Sequence, residues 1–252
     1  MNQELHARLL AQLAADYNTS PDALRSSGCI FTRNAFDPAK RIYLNRDKGP
    51  LRVLLLGNTA VFRCGSAALE AALRDAFSGY APEWLLSIRA LHALDAVLAG
   101  FGTRVEHQQL YFLPNDASAG PSGDWTLRWY EAAELERFRG DSRFSEALSF
   151  VPDMPDVLAV TAEKGGTILG MAGASRDGAD FWQIGVNVEP FARGRGIASA
   201  LTAALKQEIL RRGALPFYGT APSHIHSQRV ALAAGFVPMW AELRTAATQK
   251  ED

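Results

Sequence analysis

The chain has 252 residues, of which 48% are hydrophobic and 21% charged, and 26 Lys and Arg stand against 27 Asp and Glu for a formal net charge of −1. That length suits one large domain or two small ones, and the composition excludes a disordered chain. The near-neutral balance gives the molecule as a whole no attraction for nucleic acid or an anionic membrane. Cys29 and Cys64 lie outside any CxxC pair, so no metal is expected and two buried thiols in a reducing compartment are the natural reading.

Leu5, Leu9 and Leu13 recur every four residues and predict an amphipathic N-terminal helix. The segment lacks a basic start, and Glu4 and Gln12 interrupt its apolar run, so a cleaved leader is not expected. No stretch reaches the roughly 18 apolar residues that span a bilayer, and the expected location is the cytoplasm. Thr19, Ser20, Pro21 and Asp22 read as an N-cap followed by Pro at a helix start. Residues 52–57 form a short apolar run that suits a buried strand, 66–77 and 87–100 read as helices, and 105–113 returns to a strand pattern. The order α, β, α, α, β predicts a small α/β or α+β domain. His6, His92 and His107 are scattered and read as surface or core residues, because metal sites need convergent ligands.

Residues 114–124 are rich in Pro, Gly, Ser and Asp and carry no apolar periodicity, so they read as a linker. The expected division is an N-terminal α/β domain over 1–117 and a second domain over 125–252. In the second, residues 125–130 alternate as a strand, 131–138 read as a helix and 143–150 as a second short one. Strands follow at 157–160 and 167–171, joined by the Gly-rich turn at 163–166, and another runs over 181–188. A long helix from near Gly196, a strand at 215–220, a helix at 227–234 and a last strand at 236–243 complete an α+β fold, a mixed sheet flanked by helices.

The chemistry concentrates in residues 185–199. Pro190 ends the strand, and Ile197, Leu201, Leu205 and Ile209 then recur at four-residue spacing on the long helix. Burying those four side chains contributes about 1.5–3 kcal/mol each, which anchors the loop before them. A helix N-terminus carries unpaired N–H groups and partial positive charge. Gly194 and Gly196 let the backbone approach a ligand, and Arg193 and Arg195 add fixed charge. Together these groups suit a diphosphate; the Gly-x-Gly alone also allows an ordinary turn with two solvated arginines. A Walker loop would need Gly-Lys-Ser/Thr, and a Rossmann loop would need Gly or Ala where Ser199 stands and an acidic residue about 20 positions on. Neither condition is met, which disfavours ATP and NAD.

The run Arg193-Gly194-Arg195-Gly196-Ile197-Ala198 resembles the coenzyme A pyrophosphate loop of the GNAT superfamily of N-acetyltransferases, whose pattern is Gln/Arg-x-x-Gly-x-Gly/Ala. The resemblance extends over about 125–243 and includes a second landmark, Gly235-Phe236 after a short helix. It implies acetyl-CoA, or another acyl-CoA, as co-substrate, held by Arg193, Gly194, Arg195, Gly196, Ile197, Ala198 and Ser199, with backbone groups of Val186 and Val188 on the pantetheine and thioester. It further implies transfer to a small-molecule or peptide amine by direct attack in a ternary complex. That attack needs a neutral amine and hence a general base.

Two positions depart from the family pattern: Ala231 stands where many members carry the Tyr that protonates the thiolate, and His224 where an Asn is common. Ser227 and Tyr218 are substitutes for the acid, as is solvent. His224, with His226, is a candidate base, or else a helix cap or cofactor contact. Gln183 and Asn187 face either the acceptor or solvent. A non-enzymatic acyl-CoA sensor of the same fold is the alternative, motivated by Ala231. For the N-terminal half the family offers two precedents, a degenerate second copy of the fold and a domain covering the acceptor.

Overall fold

The structure, a computed structural model, describes residues 3–115 and 123–248. Most of the expected linker, 116–122, lies outside the described residues. The chain divides into two compact units, a larger one of Met1–His6, Arg41–Tyr43 and Phe112–Pro238 and a smaller one of Ala7–Lys40, Leu44–Tyr111 and Met239–Asp252. The last of these segments belongs to the smaller unit, although the division at the linker counts it with the C-terminal part. No described helix is long and apolar enough to cross a membrane.

The elements of the smaller unit are α1 (Gln3–Asp16, from residue 7), β1 (Gly28–Arg33), the end of α2 (Ile42–Arg46), β2 (Leu51–Leu56), β3 (Thr59–Cys64), α3 (Ala67–Phe77), α4 (Ile88–Ala99), most of β4 (Thr103–Pro114) and most of β10 (Phe236–Ala247). Strands run in the order β1-β3-β2-β10, with β1 parallel to β3 and the other pairs antiparallel. The apolar run read as a strand is β2, and Ser66 and Ser87 cap α3 and α4 by accepting from Leu69 N and Ala90 N. The sequence reading misses β1, α2 and β3. In β3 a charge hides the pattern: Arg63 is buried, yet it donates to Asp16 O at 2.9 Å and Asp47 Oδ2 at 3.0 Å. The cap expected at Ser20 produces only a 3-10 turn, Ala23–Arg25, with Ser20 Oγ accepting from Ala23 N at 3.1 Å. The unit's core stacks Phe31 on Phe62 at 5.0 Å, with Phe77 against Phe62 at 5.6 Å.

In the larger unit the chain forms β5 (Thr126–Glu131), α5 (Ala132–Leu135), β6 (Asp156–Lys164), β7 (Thr167–Arg176), β8 (Phe181–Val188), α6 (Ile197–Arg211), β9 (Leu215–Thr220) and α7 (Ile225–Ala233). Strands β5 to β8 are an antiparallel meander, and β9 joins β8 in parallel. Gly165 (φ 56°) and Gly166 (φ 79°) make the two-residue turn between β6 and β7, as the sequence leads one to expect. The apolar stripe of α6 is buried at Ile197, Leu201, Leu205 and Ile209. Lys206 on the same helix is also buried and donates to Gly235 O at 3.1 Å, which ties the Gly-Phe landmark to α6.

The helix expected over 143–150 does not form; only Ser142–Phe144 winds into a 3-10 turn. Leu148 N keeps a helical bond to Phe144 O at 2.9 Å, but the N–H groups around it find acceptors on other elements. Asn187 Oδ1 takes Glu146 N at 2.9 Å and Ala147 N at 2.8 Å, and Asp156 takes Phe150 N at 2.7 Å and Ser149 N at 3.4 Å. Phe150 is left at φ 52°, an uncommon conformation for a bulky residue. Replacing Asp156 with Ala is expected to destabilise the chain by about 1–2 kcal/mol, the loss typical of a cap-like acceptor. Asp156→Asn, which keeps one acceptor oxygen, should lose less. Thermal melts of the two variants check the order.

Candidate functional site

The loop after β8 is built from its backbone. Glu189 N donates to Leu169 O at 2.9 Å and holds the strand end to β7. Pro190–Ala192 form a 3-10 turn. Gly194 (φ 77°) and Gly196 (φ 75°) are left-handed, and a Cβ at either would meet nothing within 4 Å. Glycine is therefore required by the conformation and not by space. Helix α6 starts with no side-chain cap and no acidic residue in its first turn. Its first bond runs from Ala200 N to Gly196 O at 3.0 Å, so the N–H groups of Ile197, Ala198 and Ser199 have no acceptor within the helix. Both arginines are exposed. Arg193 Nε donates to Val188 O and Arg195 Nη2 to Phe191 O, each at 3.3 Å, which steadies the side chains beside the helix end. At Gly170 a Cβ would come within 3.0 Å of Val188 Cγ2 and 3.3 Å of Ile197 Cγ2. The bare glycine thus lets α6 settle on the end of β8.

Next to this loop two parallel strands part. Pairing of β8 with β9 runs from Phe181↔Leu215 to Ile184↔Tyr218, whereas β8 stays paired with β7 as far as Gly170↔Val188. Residues 185–188 therefore follow β7 and leave β9. Antiparallel main-chain groups alternate in direction. Because Glu189 N–H points to β7, Val186 and Val188 turn theirs away from β7, toward the opening.

Side chains alternate as well. Val188 and Ile197 both border the space over Gly170, which puts Ile184, Val186, Val188 and, by register, Tyr218 on the α6 side. Tyr218 is buried, and its hydroxyl lies 2.8 Å from Ser227 Oγ on α7. Burial pushes the phenol pKa above its ordinary value; the Ser227 hydrogen bond opposes that, and the charge of Glu146 adds to it. Ala231, one turn after Ser227 on α7, is fully buried. His224 and His226 are exposed, and His224 occupies the α7 N-cap position without a side-chain cap bond. The structure thus joins Tyr218 to Ser227 and leaves His224 outside that pair.

On the opposite face stand Gln183, Gly185 and Asn187, all half-buried. Gly185 pairs in register with Gly173 of β7. A Cβ on Gly185 would lie 1.8 Å from Glu146 O, and one on Gly173 would lie 2.0 Å from Ala147 O. The main chain of 146–147 therefore rests directly on two bare strand positions. Asn187 clamps it there, which occupies the carbonyl end of a side chain expected to face either the acceptor or solvent. Glu146 escapes sequence reasoning altogether. The available signal was the pair of interior strand glycines, which often mark a close backbone approach.

Residues 124–236 match the family model described as the acetyltransferase (GNAT) family. Among solved structures the chain is similar to an acetyltransferase from the GNAT family from Colwellia psychrerythraea, at 14% identity over 61% of each chain with a TM-score of 0.43. It is also similar to a GCN5-related N-acetyltransferase from Sphaerobacter thermophilus, at 20% identity over 64% of this chain and 58% of that one with a TM-score of 0.45. A GCN5-related N-acetyltransferase-like protein from Streptococcus suis 89/1591 aligns over 96% of this chain and 98% of its own, at 12% identity and a TM-score of 0.47. The chain thus spans about three fifths of the first two relatives. Comparison with the curated proteins found no match. Residues 124–236 carry a domain of the acetyltransferase (GNAT) family.

Proposed function

We propose that the chain is an N-acyltransferase that moves acetyl from acetyl-CoA to a primary amine by direct attack in a ternary complex. One observation carries this reading: the uncapped, glycine-relaxed start of α6 sits beside the point where β8 parts from β9. The N–H groups of Ile197, Ala198 and Ser199, with Gly194, Gly196, Arg193 and Arg195, take the pyrophosphate. Val186 and Val188 present main-chain groups to pantetheine and thioester, and an N–H on the thioester oxygen stabilises the developing oxyanion. Donor binding is assigned to the part over 125–252, and 1–117 is kept as a separate N-terminal part.

Tyr218 is the acid for the departing thiolate in this proposal. It reaches from β9 to the face of α7 that carries Ser227 and Ala231, and so offers a phenol near the position where the family pattern has one. A phenol, with an ordinary pKa near ~10, is protonated at neutral pH, and burial pushes this one further up. Tyr218→Phe is expected to lower kcat by about 10²-fold or more with CoA affinity unchanged, and Ser227→Ala by less. Steady-state kinetics with thiol detection checks both. His224, exposed and outside the pair, is assigned a cofactor contact and not the base.

Ala231 also favours a second reading, an acyl-CoA sensor without turnover. Calorimetric titration with CoA tests what the two share, and no binding would defeat both. Thiol release from acetyl-CoA that depends on added amine separates them, since a sensor releases none.

A further inference from the structure

We propose that Glu146 is the group that receives the acceptor: its carboxylate binds the incoming alkylammonium and takes the proton that must leave before attack. This inference rests on the acyl-CoA reading above and names the acceptor side of the same site.

Three observations converge on it. The main chain at Glu146 lies against Gly185, at the first β8 position past the last β8–β9 pair, Ile184↔Tyr218. It does so on the face of β8 opposite α6, so the donor loop and the Glu146 main chain lie on opposite faces of the strand. Asn187, two residues further along β8, fixes the segment by accepting from both Glu146 N and Ala147 N. The carboxylate itself is exposed and joins no ion pair among the described residues, yet its charge reaches the buried phenol of Tyr218. An exposed anion on a segment whose main chain is fixed beside the parting of β8 from β9 suits a cationic substrate. An alkyl amine, with a pKa near ~10.4, arrives as the ammonium and cannot attack until deprotonated.

The proton count closes. Glu146 takes one proton from the ammonium and passes it to water. The freed lone pair forms the C–N bond to the thioester carbon, and the C–S electron pair leaves with sulfur. The second proton shed by nitrogen balances the one Tyr218 gives the thiolate. CoA therefore departs as the thiol, and one net proton is released.

The test uses the full chain with acetyl-CoA and two probe amines, hexylamine, which is cationic at neutral pH, and aniline, which is neutral. For Glu146→Gln, kcat/KM for hexylamine should fall by about 10²-fold and that for aniline by no more than about threefold, with CoA affinity unchanged by calorimetry. Asn187→Ala should reproduce the selective loss, and Asn187→Asp, which still offers acceptor oxygens to both N–H groups, should restore most of it. Independently of turnover, the Tyr218 phenol should titrate at lower pH in Glu146→Gln, read by ultraviolet difference against Tyr218→Phe. Equal losses on both amines, no loss, an unmoved phenol titration, or a chain that binds CoA and acetylates neither amine would each overturn the proposal. Failure of the unmodified chain to bind CoA would instead overturn the acyl-CoA reading, and the phenol titration then decides the placement of Glu146 alone.

Discussion

Gly185→Ala is expected to lower the melting temperature and to remove acyl transfer while CoA affinity survives. The added Cβ would lie 1.8 Å from Glu146 O and 2.8 Å from Glu146 C. Both are main-chain atoms, so no side-chain rotation relieves the clash and the 146–147 segment must lift off β8. Overpacking of this kind costs about 1–3 kcal/mol and sometimes more. The lift would also break the two bonds to Asn187 and displace Glu146. A misplacement of about 1 Å at a reacting centre can cost roughly 10²-fold in rate. The α6 loop lies on the other face of the sheet, so CoA binding should be spared. A thermal melt and a CoA titration on one preparation check the split. A variant that melts like the parent would refute the close approach, and one that loses CoA binding as well would refute the separation of the two faces.

Replacing Arg193 and Arg195 together by Ala should have the opposite pattern. Both side chains are exposed and make only one 3.3 Å bond each to loop carbonyls, so stability should change little. A hydrogen bond to a charged group contributes about 1.5–3 kcal/mol. Two lost to the pyrophosphate would weaken CoA binding by about 10²-fold or more, and the residual affinity should depend less on salt. Gly196→Val complements it through the backbone. At φ 75° a β-branched residue is strained by about 1–3 kcal/mol, and relaxation would turn the first N–H groups of α6 away. Calorimetry at two ionic strengths measures both variants. An unchanged affinity in the double arginine variant would remove the main support for donor binding at this loop.

What could be read directly from the residues was whatever depends on near neighbours. The four-residue stripe of α6, the extents of β8 and β9 and the Gly165-Gly166 turn are all local, because helix period, strand alternation and turn glycines leave marks within a few positions. The resemblance to the GNAT loop rests on the same kind of signal. Arg63 concealed β3 because a buried charge breaks the apolar pattern while its two terminal nitrogens bond Asp16 and Asp47, distant in sequence. Residues 143–150 have a helical pattern but gave up helix because Asn187 and Asp156, from two other strands, supply the acceptors.

The same distinction separates the parts of the site. Arg193 to Ser199 form one continuous stretch, so the candidate donor loop was legible. The pairing of Tyr218 with Ser227 and the delivery of Glu146 to Gly185 join residues 9 and 39 positions apart. No local propensity encodes such a meeting. Tertiary packing alone decided it, because a bare strand glycine, a two-armed Asn acceptor and the parting of β8 from β9 take effect only once the sheet has assembled.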